Sequence, residues 1–322
     1  MISILPTVLI LILLFLIELI YFKIADHYNI IDHPNERSSH EAITLRGGGI
    51  LFCIAGLIFY AYSGYQYHFF ILGLVAISTI SFIDDVLTLN NKIRLTVHLL
   101  AVLLLFYQWE LFALPWYWII LAGIFVIGTI NAYNFMDGVN GITGGYSLIT
   151  VATLYYINNA VSSFTSNDLL IIVGLSLIVF NFFNFRNRAK CFAGDVGSVS
   201  IAFIIIFLIG QLILKTENFN YILMLLIYGI DSASTIFFRK LRKENIFEAH
   251  RSHFYQYLAN QLRINHLVVA GLYMLLQVII NIALVFLIQD SLNYAIGFVA
   301  IFSVFWFAIR FKIEGKKVLL GS

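Results

Sequence analysis

FFILGLVAISTISFIDD, Phe69 to Asp85, is fifteen uncharged residues closed by two adjacent aspartates. A run this apolar belongs in hydrocarbon, and carboxylates side by side at its edge are costly unless something there needs negative charge. The usual something is a divalent cation. Mg²⁺ takes hard oxygen ligands and favours one or two carboxylates together with substrate phosphates. A short loop then leads to Lys92 and Arg94, cations of the kind that meet phosphates.

The rest of the chain repeats this pattern. Of its 322 residues, 61% are hydrophobic and only 11% charged, too apolar for an ordinary soluble domain. Apolar runs recur near 2–22, 47–64, 67–83, 94–108, 115–132, 141–158, 168–185, 198–214, 219–238, 266–288 and 291–309. They predict an all-α integral membrane protein of about eleven transmembrane helices. Residues 1–322 read as one polytopic domain, with no linker, low-complexity tract or internal repeat. The first run lacks a basic leader and a cleavage site, so it reads as a retained helix.

Eleven spans place the termini on opposite sides, and basic residues choose the orientation. With the N-terminus outside and the C-terminus cytoplasmic, eighteen of the 19 Lys and Arg residues fall on the inner side, leaving only Lys215 outside. Every polar motif then shares the cytoplasmic face. Cys53 and Cys191 have no metal-ligand spacing, and a reducing compartment argues against a disulfide.

Four further segments carry chemistry. In Asn131-x-x-Asn134-x-x-Asp137-Gly-x-Asn140-Gly, helical continuation would put Asn131, Asn134 and Asp137 on one face. Buried amides can be interhelical glue, but two with an acid and four nearby glycines favour a polar ligand. Gly194-Asp195-Val-Gly197-Ser198 precedes an apolar helix; it is an ordinary cap or a phosphate-binding helix start. His250-Arg251-Ser-His253 lies in the most basic loop, where Arg251 can grip phosphate in a bidentate manner. The first inner loop offers Arg37 and Arg46, the latter followed by three glycines. Asp231, mid-span, is a functional candidate by default.

Together these motifs resemble, in the family's order from Asp32 to Gln256, the polyprenyl-phosphate N-acetylhexosamine-1-phosphate transferases, closest to the WecA/WbpL branch. The resemblance implies transfer of a HexNAc-1-phosphate from a UDP-activated N-acetylhexosamine to undecaprenyl phosphate in the bacterial inner membrane. UMP leaves, and a diphosphate-linked lipid that initiates a cell-envelope polysaccharide is formed. It implies Mg²⁺, or Mn²⁺ in its place, and no nucleic-acid partner; a homodimer is compatible with it. Asp195 resembles the Mg²⁺-binding acid, and Asp84 and Asp85 the pair beside metal and lipid phosphate. Asn131, Asn134, Asp137 and Asn140 resemble the nucleotide-side cleft, although the position of Asn140 is commonly Asp. His250, Arg251 and His253 resemble the loop near diphosphate and sugar, with Lys92, Arg94 and Arg46 as phosphate contacts. A transporter or lipid flippase is the rival class. It predicts polar groups near the bilayer midplane and a repeat across halves, and only Asp231 speaks for it.

Overall fold

The computed structural model describes residues 2–32, 43–87, 89–246, 248 and 250–321. The Pro34–His40 loop, with Arg37, lies outside the described residues. A helix stands at each of the eleven predicted ranges. In chain order they are α1 (Ile4–His27), α2 (Ile50–Tyr62), α3 (His68–Leu87), α4 (Asn91–Gln108), α5 (Trp116–Met136), α6 (Ile142–Ala160), α7 (Asn167–Asn184), α8 (Gly194–Thr216) and α9 (Leu226–Leu241). A short α10 (Phe254–Gln256) precedes α11 (His266–Ala283), α12 (Leu292–Ile313) and a terminal α13 (Lys316–Leu320). Among the described residues, eight helices are long and apolar enough to cross a membrane by length and composition. Of the other three predicted ranges, α2 is apolar but shorter, and α4 and α6 fall outside that group.

Side-chain chemistry explains where the helices begin. Asn90, Ser166 and Asn265 each accept a hydrogen bond from the backbone two residues ahead, pairing one of the N–H groups a helix start leaves open. Pro115 precedes α5, and Gly141, at φ +83°, turns the chain into α6.

α8 is apolar on all sides and is the best-buried span, with α2, α3, α5 and α6 packed around it. α7 joins α1, α2 and α6 on one flank; α9 and α11 close the other, against α5 and α6. α12 is the least buried span. Exposed surface on these helices is apolar, Ile301 being 75% and Val304 72% exposed, as expected where the solvent is lipid.

Two of the boundaries that move bear directly on the site. α3 runs past Ile83 to Leu87, so Asp84 and Asp85 sit in its last turn and not in a loop. α8 starts at Gly194, four residues before the predicted span, so Asp195 lies in its first turn. A two-residue antiparallel pair, β1 (Ile31–Asp32) with β2 (Thr44–Leu45), extends through a bridge from Leu45 to Cys191. Alongside it, Gly48 and Gly49 donate their N–H groups to the carbonyls of Phe192 and Ala193. This backbone pairing draws Arg46 to the start of α8.

Candidate active site

The end of α3 meets the beginning of α8. The side chain of Asp85 is fully buried. Its Oδ1 accepts from the backbone N–H of Asp195 at 2.9 Å and its Oδ2 from that of Val196 at 3.0 Å. A helix start presents unpaired N–H groups and partial positive charge, and here the capping carboxylate comes from another helix. That resolves an acid at the unfavourable end of its own helix. The same Oδ1 pairs with Arg46 Nε at 2.8 Å. The structure therefore gives Asp85 an architectural post that its sequence context does not reveal.

Asp84 points the other way around the helix. Its Oδ1 accepts from Leu89 N at 2.7 Å, and its Oδ2 pairs with Arg94 Nη1 at 2.7 Å. Asp195 stands between the two arginines, 3.5 Å from Arg46 Nη2 and 3.4 Å from Arg94 Nη1. Its side chain is 22% exposed and, of the three acids, it is the most loosely held. Asp137 caps the end of α5; burial, opposed by a Thr143 hydrogen bond and reinforced by the charges of Asp195 and Asp85, pushes its carboxyl up to about 7. Three carboxylates thus converge on two guanidinium groups, with Asp137 near enough to feel their charges.

Asp85→Asn tests the architectural post. The amide can offer an oxygen to only one of the two N–H groups, and its own N–H₂ meets the other. Leaving a buried donor unpaired costs about 1–3 kcal/mol. We expect a lowered thermal midpoint in detergent together with lost activity, whereas Asp84→Asn loses activity at a near-native midpoint. An unchanged midpoint for Asp85→Asn would refute the capping role.

The polar face of α5 divides by position. Asn134 Nδ2 donates to Ser198 Oγ at 3.3 Å, tying α5 to the first turns of α8. Asn131, one turn earlier, is exposed. Asn140 is buried, and its Nδ2 donates to the carbonyl of Arg186 at 2.8 Å and, at 3.4 Å, to that of Asn187. It latches the α5–α6 turn to the loop before α8, a task independent of any base. Lys92 is exposed on the first turn of α4.

The histidine loop adjoins the end of α5. The rings of His250 and His253 stack at 5.0 Å, and each lies 6.1 Å from the ring of Phe135. Tyr255 Oη donates to the Phe135 carbonyl at 2.8 Å. Burial, with the charges of His253 and Arg239, pulls His250 down to about 4, which keeps the imidazole neutral at pH 7. The loop is anchored by residues whose role the sequence does not expose. Asp231 accepts from the backbone of Phe254 and Tyr255, Arg310 donates to the Ser252 carbonyl, and Arg239 donates to the carbonyls of Asn245, Ile246 and Glu248. The mid-span Asp231 is thus held by loop backbone, which removes the one feature that favoured a transport pathway.

Among the described residues, no three His, Cys, Asp or Glu groups form a ready-made metal cage. The donor chemistry is nonetheless that of a hard cation. Asp84 and Asp195 present carboxylate oxygens beside partly exposed guanidinium groups, a set that Mg²⁺ can complete with ligands from a phosphorylated substrate.

Residues 67–213 match the model of glycosyl transferase family 4. That stretch contains Asp84, Asp85, Arg94, Asn131, Asn134, Asp137, Asn140 and Asp195. The chain is 27% identical to the "Probable undecaprenyl-phosphate N-acetylglucosaminyl 1-phosphate transferase" of Bacillus subtilis, with 73% of this chain and 71% of that protein covered. It is 28% identical to the undecaprenyl-phosphate alpha-N-acetylglucosaminyl 1-phosphate transferase of Salmonella typhi, over 69% of this chain and 66% of that protein. It is also 28% identical to the phospho-N-acetylmuramoyl-pentapeptide-transferase of Thermotoga petrophila, over 59% and 66%. The chain thus spans about two thirds of the length of these relatives.

Proposed function

From the match of residues 67–213 to glycosyl transferase family 4 we propose that this chain moves a HexNAc-1-phosphate from a UDP-activated N-acetylhexosamine to undecaprenyl phosphate. UMP is released, and the lipid product carries a diphosphate-linked sugar. One observation carries the reading: Asp84, Asp85 and Asp195 converge with Arg46 and Arg94 where α3, α4 and α8 meet. Two phosphates that must react repel each other, and such a site neutralises them.

Asp195 and Asp84 would hold Mg²⁺, which when bound supplies Lewis-acid polarisation of a phosphoryl oxygen. Arg46 and Arg94 exchange carboxylate partners for phosphate oxygens as substrate arrives, a swap their partial exposure permits. Asp85 keeps α8 and Arg46 in place. A phosphate monoester has its second pKa near about 6, so the lipid phosphate reaches the site largely dianionic and needs no strong base. Direct attack on the sugar-linked phosphorus is favoured over an aspartyl-phosphate route, because a largely dianionic lipid phosphate is already a competent nucleophile. Asn134 and Asp137 border the nucleotide side, with His250, Arg251 and His253 beside the diphosphate and sugar.

The deciding assay combines purified protein, undecaprenyl phosphate, Mg²⁺ and a panel of UDP-sugars, scored for UMP and lipid product. UMP release that depends on both substrates and stops with a chelator supports the reading. No product with any UDP-sugar refutes it.

The same reading places the protein in a bacterial inner membrane with eleven spans and a cytoplasmic site. A reporter fused after Ser322 is expected in the cytoplasm and one inserted at Asn159 outside, as the one-sided basic residues require. A C-terminal reporter found outside would break the topology.

A further inference from the structure

Asp231 is fully buried in α9, yet it is surrounded by donors. Its Oδ1 accepts from Phe254 N at 3.0 Å and Thr235 Oγ1 at 3.2 Å, and its Oδ2 from Tyr255 N at 3.3 Å and from Tyr273 Oη. Both backbone donors immediately follow His253 and begin α10. His253 is 2% exposed, and its Nδ1 lies 3.4 Å from Asp231 Oδ1, an ion-pair separation without hydrogen-bond alignment. Both ring nitrogens, Nδ1 and Nε2, are buried and have no hydrogen-bond partner among the described residues.

An acid needed only to cap α10 would not also have to face the imidazole. A buried ring nitrogen without a partner is costly unless something else engages it. A second anchor fixes the same stretch from α12. The buried Arg310 donates to the Ser252 carbonyl at 3.1 Å and to Thr235 Oγ1 at 3.2 Å, and it is itself paired with Glu314. The residue before His253 and the two after it are therefore all tied down. Little backbone freedom remains at His253.

We propose that Asp231 is a positioning residue for the transfer: by holding the backbone beyond His253 and facing Nδ1 with its charge, it presents His253 Nε2 to the sugar-nucleotide. Arg310 locks the arrangement from the last membrane helix. The inference rests on the transferase reading above and adds a role for a residue that touches no substrate.

A double-mutant cycle tests it. UMP release is measured for wild type, Asp231→Asn, His253→Ala and the double variant, varying UDP-sugar and undecaprenyl phosphate separately. A misplacement of about 1 Å in a reacting site can lower a rate about 100-fold. Asp231→Asn should therefore reduce kcat on that order, with an unchanged KM for undecaprenyl phosphate. If Asp231 acts through His253, the double variant is no worse than His253→Ala by more than about threefold, because the two losses share one cause. Losses that multiply would overturn the inference and leave Asp231 as a cap. So would an effect of Asp231→Asn confined to the lipid substrate. If Asp231→Asn does not accumulate as folded protein, Asp231→Glu carries the test, since it retains the charge but displaces it by a methylene. It should lose kcat and show the same non-additivity; full activity would overturn the inference. Wild-type protein that releases no UMP would bring down the transferase reading and this inference together, whereas turnover with multiplicative losses would remove this inference alone.

Discussion

Asp195→Asn is expected to lower sugar-phosphate transfer by about 10³-fold while the protein still inserts and unfolds at its native midpoint. Removing one preorganised charge-stabilising group from such a site costs about 10²–10³ in rate, and an amide is a poorer ligand than a carboxylate for a hard cation. The structure explains why the fold should survive. It is the backbone N–H of Asp195 that Asp85 holds, and an Asn keeps that group. Among the described residues the side chain makes long approaches, 3.5 Å to Arg46 and 3.4 Å to Arg94, and meets the Asp84 carboxyl. UMP release at limiting Mg²⁺, measured beside thermal unfolding, decides the matter. Activity within about twofold of wild type would end the assignment of Asp195 as the metal-holding acid.

The second large effect concerns a contact between glycines. α2 and α8 start against one another: a Cβ on Gly49 would lie 2.2 Å from Gly197 Cα, and one on Gly197 would lie 2.7 Å from Gly49 Cα. Both obstacles are backbone, so no side chain can turn aside. Gly49→Ala should force α2 from α8 and carry Arg46, three residues upstream, away from Asp85 and Asp195. We expect destabilisation at or above the upper end of the usual overpacking range of about 1–3 kcal/mol, with little active protein recovered. Gly197→Ala should behave similarly. Gly128→Ala is the control, because nothing lies within 4 Å of a Cβ there on α5 and alanine favours helix. A native thermal midpoint for Gly49→Ala, with full activity, would show that the helices can part freely and that this contact does not set the site.

These two cases mark how far the chain could be read directly. Asp195 is singled out through the resemblance, because a lone acid among glycines before an apolar helix reads equally well as an ordinary cap. The convergence of Asp84 and Asp85 with it was also foreseeable in outline, since one-sided basic residues place all the motifs at one membrane face. Gly49 and Gly197 are 148 positions apart, and nothing in either neighbourhood says that they touch. The same holds for Asp85, whose partners are amides on α8, and for Asn140, which resembles a cleft residue but is bound to the carbonyls of Arg186 and Asn187. Asp231 misled in the opposite direction. Its local context is an acid inside a membrane span, whereas its neighbours in space are the amides and imidazole of a loop more than twenty residues away.

By itself, then, the sequence determined that the chain is helical and lives in lipid, where its helices lie, and which residue types could handle phosphate. Those properties follow from hydropathy, run length and local charge, which act over one helix turn or one bilayer width. Only the tertiary structure decided which carboxylates remain accessible and which are fully engaged. Asp84 and Asp85 are identical in chemistry and adjacent in sequence, but consecutive side chains on a helix point about 100° apart. One therefore meets Arg94 and a loop amide, and the other meets the start of α8.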